Sequence, residues 1–446
     1  MIETRDFVVP HFNYVEILEK PVLPYFVTAL SYAVFGVHEL STRLSSIVSA
    51  LLGIGAVFVF TRRFFGKRAA MLSTLVLSTS VGYVFMGRFA MLDMLLTLFI
   101  GSAILFLAYA SASSQKRWYY PAYVAMGLAF ITKGLIGAFL PLAIFWIYLA
   151  MTGNLAEILR MRLVRGILII ALIFIPWGIT ISMQEPEFSY TFFMQHQLGR
   201  FASGSFGRRK PFWFYIPIVF LMSCPWSLYL PGAIRRGLET KDLQKKNILL
   251  LMTIWIAVFF IFFSLPKSKL AHYMLPITWP AAVLIGVFLD GWIEKSSKNA
   301  LWIKITAGAG YAMLVLMVFI MIYAAPRLST VSLARDLSSR LQKNDIVAIY
   351  GSPDHFSDFI FYLRKRVVII GSDRGTITPE VEEDLESAEL SKRWFLDKKE
   401  FARLFGQPQR RVYCLTDEDK LGDLVHTGLE KYTLVKKEHG KILLSN

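Results

Sequence analysis

Charge is scarce in this 446-residue chain: Asp, Glu, Lys and Arg make up 18%, against 55% hydrophobic residues. So little charge cannot clothe a soluble globule of this length, and the balance is that of a membrane protein with some soluble mass attached. Acid is scarcer than base, which leaves a net charge of +16. The basic residues lie mostly in short loops between apolar runs, so they report membrane topology and do not form a nucleic-acid footprint. Cysteine is nearly absent. Cys224 sits in an apolar run and Cys414 near the C-terminus, in regions of different solvent, so no disulfide framework is expected. The chain has no close His-x-x-x-His pair, internal repeat or low-complexity tract. No signal peptide is legible either, because Glu3, Arg5, Asp6 and Pro10 stand where its apolar core would be.

What the chain has is long apolar runs. Residues 1 to 21 are polar and turn-rich; 22 to 36 is too short to cross roughly 30 Å of hydrocarbon and is predicted to be an interfacial or re-entrant helix. Ten runs of spanning or near-spanning length follow: 41–61, 69–87, 94–113, 118–135, 137–151, 166–183, 213–232, 247–264, 272–290 and 303–323. Every second loop is basic, carrying in turn Arg62, Arg63, Lys67 and Arg68; Lys116 and Arg117; Arg160, Arg162 and Arg165; Arg235, Arg236, Lys241, Lys245 and Lys246; and Lys295, Lys298 and Lys304. The positive-inside rule makes these loops cytoplasmic and puts residues 1–40 and everything after 324 outside. From 327 onward the pattern changes. Residues 345–350, 366–371 and 411–415 read as buried strands, and 355–364 and 380–394 as helices. The expected architecture is therefore mainly α and polytopic, with about ten transmembrane helices and a small extracytoplasmic α/β domain. The domains are 1–40, an extracytoplasmic loop with the interfacial helix; 41–325, transmembrane; and 326–446, soluble. The Gly351-Ser-Pro-Asp354 loop after the first of these strands reads as a plain connector or as a phosphate loop lacking its second glycine.

The face opposite the basic loops also carries cations, namely Lys20, Arg88, Lys133, Arg200, the Arg208-Arg209-Lys210 run, Lys267 and Lys269, several of them at span ends. An unpaired cation at that depth is costly unless it finds an anion or water, and a phosphate carried on a lipid fits. Glu19-Lys20-Pro21 opens a bent segment, since Pro21 and Pro24 stop a regular helix. There Lys20 suits a phosphate as a point charge and Glu19 an acceptor or metal-ligand role. Arg88 and Asp93 close one span and open the next. They read either as an ion pair, or with Asp93 facing a watery cavity as base or hydroxyl acceptor and Arg88 on a phosphate. Lys133 either snorkels to the head groups or joins that group. Lys267, Lys269, His272 and Tyr273 put three kinds of donor at one span entrance, which suits a phosphate and its attached group. His196, with Glu19, is a candidate pair for a divalent metal ion.

Taken together, these segments resemble the bacterial glycosyltransferases that use polyprenyl-phosphate sugars, the family of the lipid A aminoarabinose transferase and the protein O-mannosyltransferases. The resemblance covers residues 1 to 325. It rests on Glu19-Lys20-Pro21, Gly87-Arg88-Phe-Ala-Met-Leu-Asp93, Thr132-Lys133-Gly134, Gly199-Arg200-Phe201, Pro211-Phe212-Trp213 and Ser268-Lys269-Leu270 with Tyr273. It implies a GT-C membrane fold in a bacterial plasma membrane. It also implies transfer of a sugar, with inversion, from a polyprenyl-phosphate donor to lipid A, a protein or a cell-surface glycan. Lys20 would match the family's phosphate-binding lysine, Tyr273 a tyrosine near the donor phosphate, and Asp93 a functionally important acid. The family's principal catalytic aspartate belongs to an Asp-Glu pair after an additional first span. Met1 to Asp6 aligns just after that pair, and the expectation is that the start has been set one helix and a loop too late. The family histidine lies three residues ahead of its arginine, whereas His196 lies four ahead of Arg200.

Two other readings remain. A transporter or flippase of an anionic polyprenyl lipid predicts cations through both leaflets and helices broken at mid-membrane. A membrane-anchored binding protein predicts that 327–446 is the working part.

Overall fold

The computed structural model describes residues 1–17, 20–113, 115–186, 188, 210–371, 392–426, 429 and 431–446, the side chain of Ser297 excepted. Apart from the first two residues, the chain divides into a unit of Glu19–Leu316 and a unit of Glu3–Leu18 with Met317–Asn446.

The first unit is helical. Its helices are α1 (Leu23–Phe35), α2 (Glu39–Phe65), α3 (Lys67–Thr79), α4 (Val81–Gly87), α5 (Leu92–Ala112), α6 (Tyr119–Lys133) and α7 (Ile136–Met151), then α8 (Glu157–Arg160), α9 (Leu163–Gln184), α10 (Tyr215–Met222), α11 (Leu230–Leu238), α12 (Leu243–Ser264), α13 (Thr278–Ile293) and α14 (Ser297–Leu328), whose last residues count with the second unit. Pro24 lies in the first turn of α1, where its missing N–H leaves no bond unmade. Gly36 ends that helix at φ 83°.

All ten predicted runs are helical, but they are not ten alike. Among the described residues, six helices are long and apolar enough to cross a membrane, or eight if each of two bent pairs is one span. The run 69–87 is the pair α3 and α4, bent by 63°, and the run 213–232 falls within Phe212–Met222 and Trp226–Leu238, bent by 108°. Helices α6 and α7 have only 15 and 16 residues. The two bends satisfy each other. Ser80 is extended, which frees the Val81 N–H, and this donates to the Cys224 carbonyl at 2.9 Å. Trp226 Nε1 donates to Thr79 Oγ1 at 2.8 Å. A Cβ on Gly82 would stand 2.5 Å from Met222 Cα, so only glycine lets the two breaks meet. Backbone freed inside hydrocarbon must find such a partner.

Trp279 of α13 is fully buried at the centre of the bundle. A Cβ at Gly53 of α2 or Gly101 of α5 would come within 2.6 Å and 2.4 Å of its ring. Lipid removes the hydrophobic drive between helices, so close packing of small residues against large ones holds such bundles. Helices α9 and α14 turn Leu168, Leu172, Ile179, Leu301 and Tyr311 outward, as lipid-facing surfaces require.

The second unit is built on a sheet. A hairpin of β1 (His11–Phe12) and β2 (Val15–Glu16) precedes β3 (Ile346–Tyr350), β4 (Val368–Ile370), β5 (Phe395–Leu396), β6 (Val412–Asp417), β7 (Thr433–Glu438) and β8 (Lys441–Ser445). The six-stranded order is β5-β4-β3-β6-β8-β7, parallel from β5 to β6 and antiparallel beyond. Alternate residues of β3 and β6 enter two cores, as the strand period of two demands. Ile346, Ala348 and Cys414 pack with Phe401 and Leu404 of α17 (Lys398–Phe405). Val347, Ile349 and Leu415 pack with Leu333 and Leu337 of α15 (Val331–Arg340) and Phe359 of α16 (Ser357–Leu363). The predicted strands and the helix at 355–364 coincide with β3, β4, β6 and α16. Most of the predicted helix at 380–394 lies outside the described residues. Strands β5, β7 and β8 were not read from the sequence; Phe395–Leu396 is too short to show a period, and β7 has mostly exposed or half-buried residues.

Candidate active site

Helices α5 and α6 pack together in opposite directions, so the start of one meets the end of the other. Asp93 lies in the first turn of α5 and Lys133 in the last turn of α6, each where the helix dipole favours its charge. Gly134 then ends α6 at φ 87°, a conformation that suits glycine and turns the chain sharply toward α7. Thr97 Oγ1 donates to the Asp93 carbonyl at 2.7 Å and fixes the first turn of α5.

The Asp93 carboxylate is buried, with 5% of its surface exposed. Lys133 Nζ donates to Oδ1 at 2.5 Å, and His272 Nε2 stands 3.8 Å from Oδ2. Lys20 is near enough to Asp93 to attract it electrostatically. The ammonium of Lys133 also lies 4.7 Å from the centre of the Tyr273 ring, within cation–π range. Tyr273 is packed in turn against His272 and Phe263, each with ring centres 5.0 Å apart. The carboxylate thus meets Lys133 and His272, with Tyr273 packed beside them and Lys20 within electrostatic reach, from three segments of the helical unit besides its own.

The structure brings Lys20, Asp93, Lys133, His272 and Tyr273 together and treats the other candidates differently. Arg88 caps α4 and is exposed; Asp93 pairs with Lys133 and His272 instead of Arg88, which corrects the ion-pair reading of Arg88 and Asp93. Lys267 is exposed, and its carbonyl accepts from the Lys210 N–H at 3.1 Å. Lys269 is buried, and its ammonium donates to the carbonyls of Pro266 and Lys210. That burial pushes the Lys269 ammonium below its ordinary pKa. It braces its own loop against the segment at Lys210. Glu19, His196 and Arg200 lie outside the described residues. Among the described residues no group of three His, Cys, Asp or Glu side chains is placed to hold a metal ion.

Tyr215 was missed as a residue of this region. Its hydroxyl donates to the Leu270 carbonyl at 3.2 Å and fixes the segment leading to His272 and Tyr273. The aromatic run after Pro211 was the available signal, but aromatics at span ends are common enough to hide it.

The family model for dolichyl-phosphate-mannose-protein mannosyltransferases matches residues 19–179. The chain is similar to the undecaprenyl phosphate-alpha-4-amino-4-deoxy-L-arabinose arabinosyl transferase of Aeromonas hydrophila, at 28% identity over 73% of this chain and 60% of that protein. The enzyme of the same name from Erwinia tasmaniensis is 30% identical over 71% of this chain and 58% of its own length. The chain thus spans about 60% of these curated relatives. The crystal structure of ArnT from Cupriavidus metallidurans bound to undecaprenyl phosphate superposes with a TM-score of 0.81 at 23% identity, covering 100% of this chain and 91% of that one. The fold is therefore the mainly helical GT-C membrane fold. By the family match over residues 19–179 and by these relatives, the chain is similar to the lipid A aminoarabinose transferase and protein O-mannosyltransferase family of polyprenyl-phosphate-sugar glycosyltransferases.

Proposed function

We propose that this chain takes part in transferring a glycosyl group from a polyprenyl-phosphate sugar to an acceptor outside the cytoplasm, with inversion. The single observation that carries this reading is the buried Asp93 carboxylate that gathers Lys133, His272 and Lys20 at one end of the bundle. The relatives' names make an undecaprenyl-phosphate aminoarabinose the first donor to try and lipid A the first acceptor.

In that reaction an acceptor oxygen forms a bond to the anomeric carbon while the bond from that carbon to the phosphate oxygen breaks, and the phosphate leaves with the electron pair. Fixed cations stabilise the charge that grows on it. The Lys133 ammonium, anchored by the N–H it gives to Asp93, is one fixed cation. With Lys20, His272 and the Tyr273 hydroxyl it makes the phosphate cradle, and exposed Arg88 closes its rim. Asp93 is a positioning residue here, because one oxygen accepts from Lys133 and the other faces His272, and it holds both in place. Glu19 and His196, which lie outside the described residues, remain the candidates for a divalent metal.

The same reading places all ten helical runs across a bacterial inner membrane, with 1–40 and the sheet unit outside. Fusing alkaline phosphatase at the C-terminus tests it: an active fusion is expected, and an inactive one with an active fusion after Arg63 reverses the orientation.

The flippase alternative drew on helices broken at mid-membrane, and two bent pairs are present. Their freed groups bind each other through Val81, Cys224, Thr79 and Trp226, none of them charged, so the breaks favour packing over cargo.

Titrating the purified chain with undecaprenyl phosphate and following tryptophan fluorescence tests the donor site. Saturable binding that falls about tenfold in Lys20→Ala or Lys133→Met is expected. Binding no tighter than that of uncharged undecaprenol overturns it. Transfer of radiolabelled sugar to a membrane extract, by the chain and by a form extended upstream, then tests catalysis.

A further inference from the structure

In the sheet unit, β3, β4 and β5 step outward in one direction, and the chain then returns to place β6 on the other flank of β3. In open parallel sheets the crevice for ligands lies outside the carboxyl ends of the two strands where the order reverses. Here those ends are Tyr350 and Asp417, since β3 and β6 run side by side with Tyr350 opposite Thr416.

Groups of both charges converge there from four segments. Asp417 faces His355 Nε2 at 3.5 Å and Lys420 Nζ at 3.5 Å, one on each carboxylate oxygen. Asp423 accepts from the Tyr350 hydroxyl at 3.0 Å and pairs with Lys398 at 3.4 Å. Lys398 also sits 5.2 Å from the centre of the Tyr350 ring. Gly351 follows β3 at φ 141°; a side chain there would be strained, would press on the Phe356 ring at 3.0 Å, and would reach 3.5 Å from Lys420 Nζ. The bare glycine therefore keeps the floor between the two strand ends clear. Tyr350 and Phe356 also belong to the sheet's two cores, but His355, Lys398, Asp417, Lys420 and Asp423 do not; Phe401, Leu404, Leu333 and Phe359 close those cores from either face.

The geometry points to a binding site for a phosphorylated saccharide in this crevice, with Lys420, Lys398 and His355 on the phosphate and Asp417 and Asp423 on the sugar's hydroxyl or amino groups. A bare anion would be repelled by the two carboxylates, and a neutral sugar would leave the cations without use. A ligand carrying both phosphate and polar ring substituents matches the mixture. It is a second site, independent of the cradle around Asp93.

The test is calorimetric titration of the full-length purified chain with glucosamine 1-phosphate, with inorganic phosphate and glucosamine as separate arms. Lys420→Ala and Asp417→Asn are each expected to weaken the phosphosugar about tenfold. Lys398→Ala serves as a second cation variant should either of these misfold. Undecaprenyl phosphate binding should be unchanged in all three, whereas Lys20→Ala should lower only that binding, which separates failure of this site from failure of the donor site. No binding of glucosamine 1-phosphate, binding indifferent to all three changes, or inorganic phosphate binding equally tightly overturns the proposal.

Discussion

Lys133 Nζ stands 2.5 Å from Asp93 Oδ1, although 40 residues separate them in the chain. The pair is mostly buried, with 22% and 6% of the two side chains exposed. Removing one partner of such a pair strands the other charge, at roughly 3–5 kcal/mol. Asp93→Ala should therefore lower the melting temperature of the purified chain markedly, while Asp93→Leu combined with Lys133→Leu recovers stability without recovering donor binding. Equal melting temperatures for wild type and Asp93→Ala would show that water already screens the pair.

Lys269 tests whether a buried cation near a binding site is a ligand contact or an internal brace. Lys269→Met removes the ammonium from the carbonyls of Pro266 and Lys210, which should cost about 1–3 kcal/mol of stability. Donor affinity should fall less than in Lys20→Ala. A loss of affinity at unchanged stability would instead place Lys269 on the phosphate.

Gly101 should tolerate no side chain beside Trp279. A Cβ there would lie 2.4 Å from the ring, so Gly101→Ala is expected to destabilise by about 1–3 kcal/mol. Adding Trp279→Leu should return part of that loss, as thermal unfolding of the double variant would show.

Asn13 clamps one backbone position in the sheet unit. Its side chain donates to the Val367 carbonyl at 2.7 Å and accepts from the Val367 N–H at 2.9 Å. Its φ of 53° is one that Asn adopts more readily than most residues. Asn13→Ala loses both bonds, at about 2 kcal/mol, and Asn13→Asp should cost more, because it turns a buried carboxylate oxygen onto the Val367 carbonyl. Protease sensitivity near residue 367 reads the order.

Cys414 is buried in β6, and burial pushes its thiol up to about 12. The folded chain should resist iodoacetamide at pH 8 there and react once unfolded. The folded form holds its proton above the pH at which an unfolded thiol loses it. The stability it contributes is therefore complete below the ordinary thiol range and is lost as pH rises toward 12. Rapid labelling of Cys414 under native conditions contradicts this.

The sequence by itself determined the helices, because a membrane span must be a long apolar run whatever surrounds it, and all ten runs are helical. It also singled out Lys20, Asp93, Lys133, His272 and Tyr273, because charge and histidine at span ends are too costly to be incidental. Only the tertiary structure decided that Asp93 pairs with Lys133 and not with nearby Arg88, since helix packing and not chain distance brings charges together. It also turned Lys269 inward and bent two of the runs, because the partners of Lys269 and of the Val81 N–H lie on other segments. Likewise, the Gly351-Ser-Pro-Asp354 loop by itself does not announce the crevice at Tyr350 and Asp417. It arises from strand order, and strand order is set by which edges pair once the chain has folded.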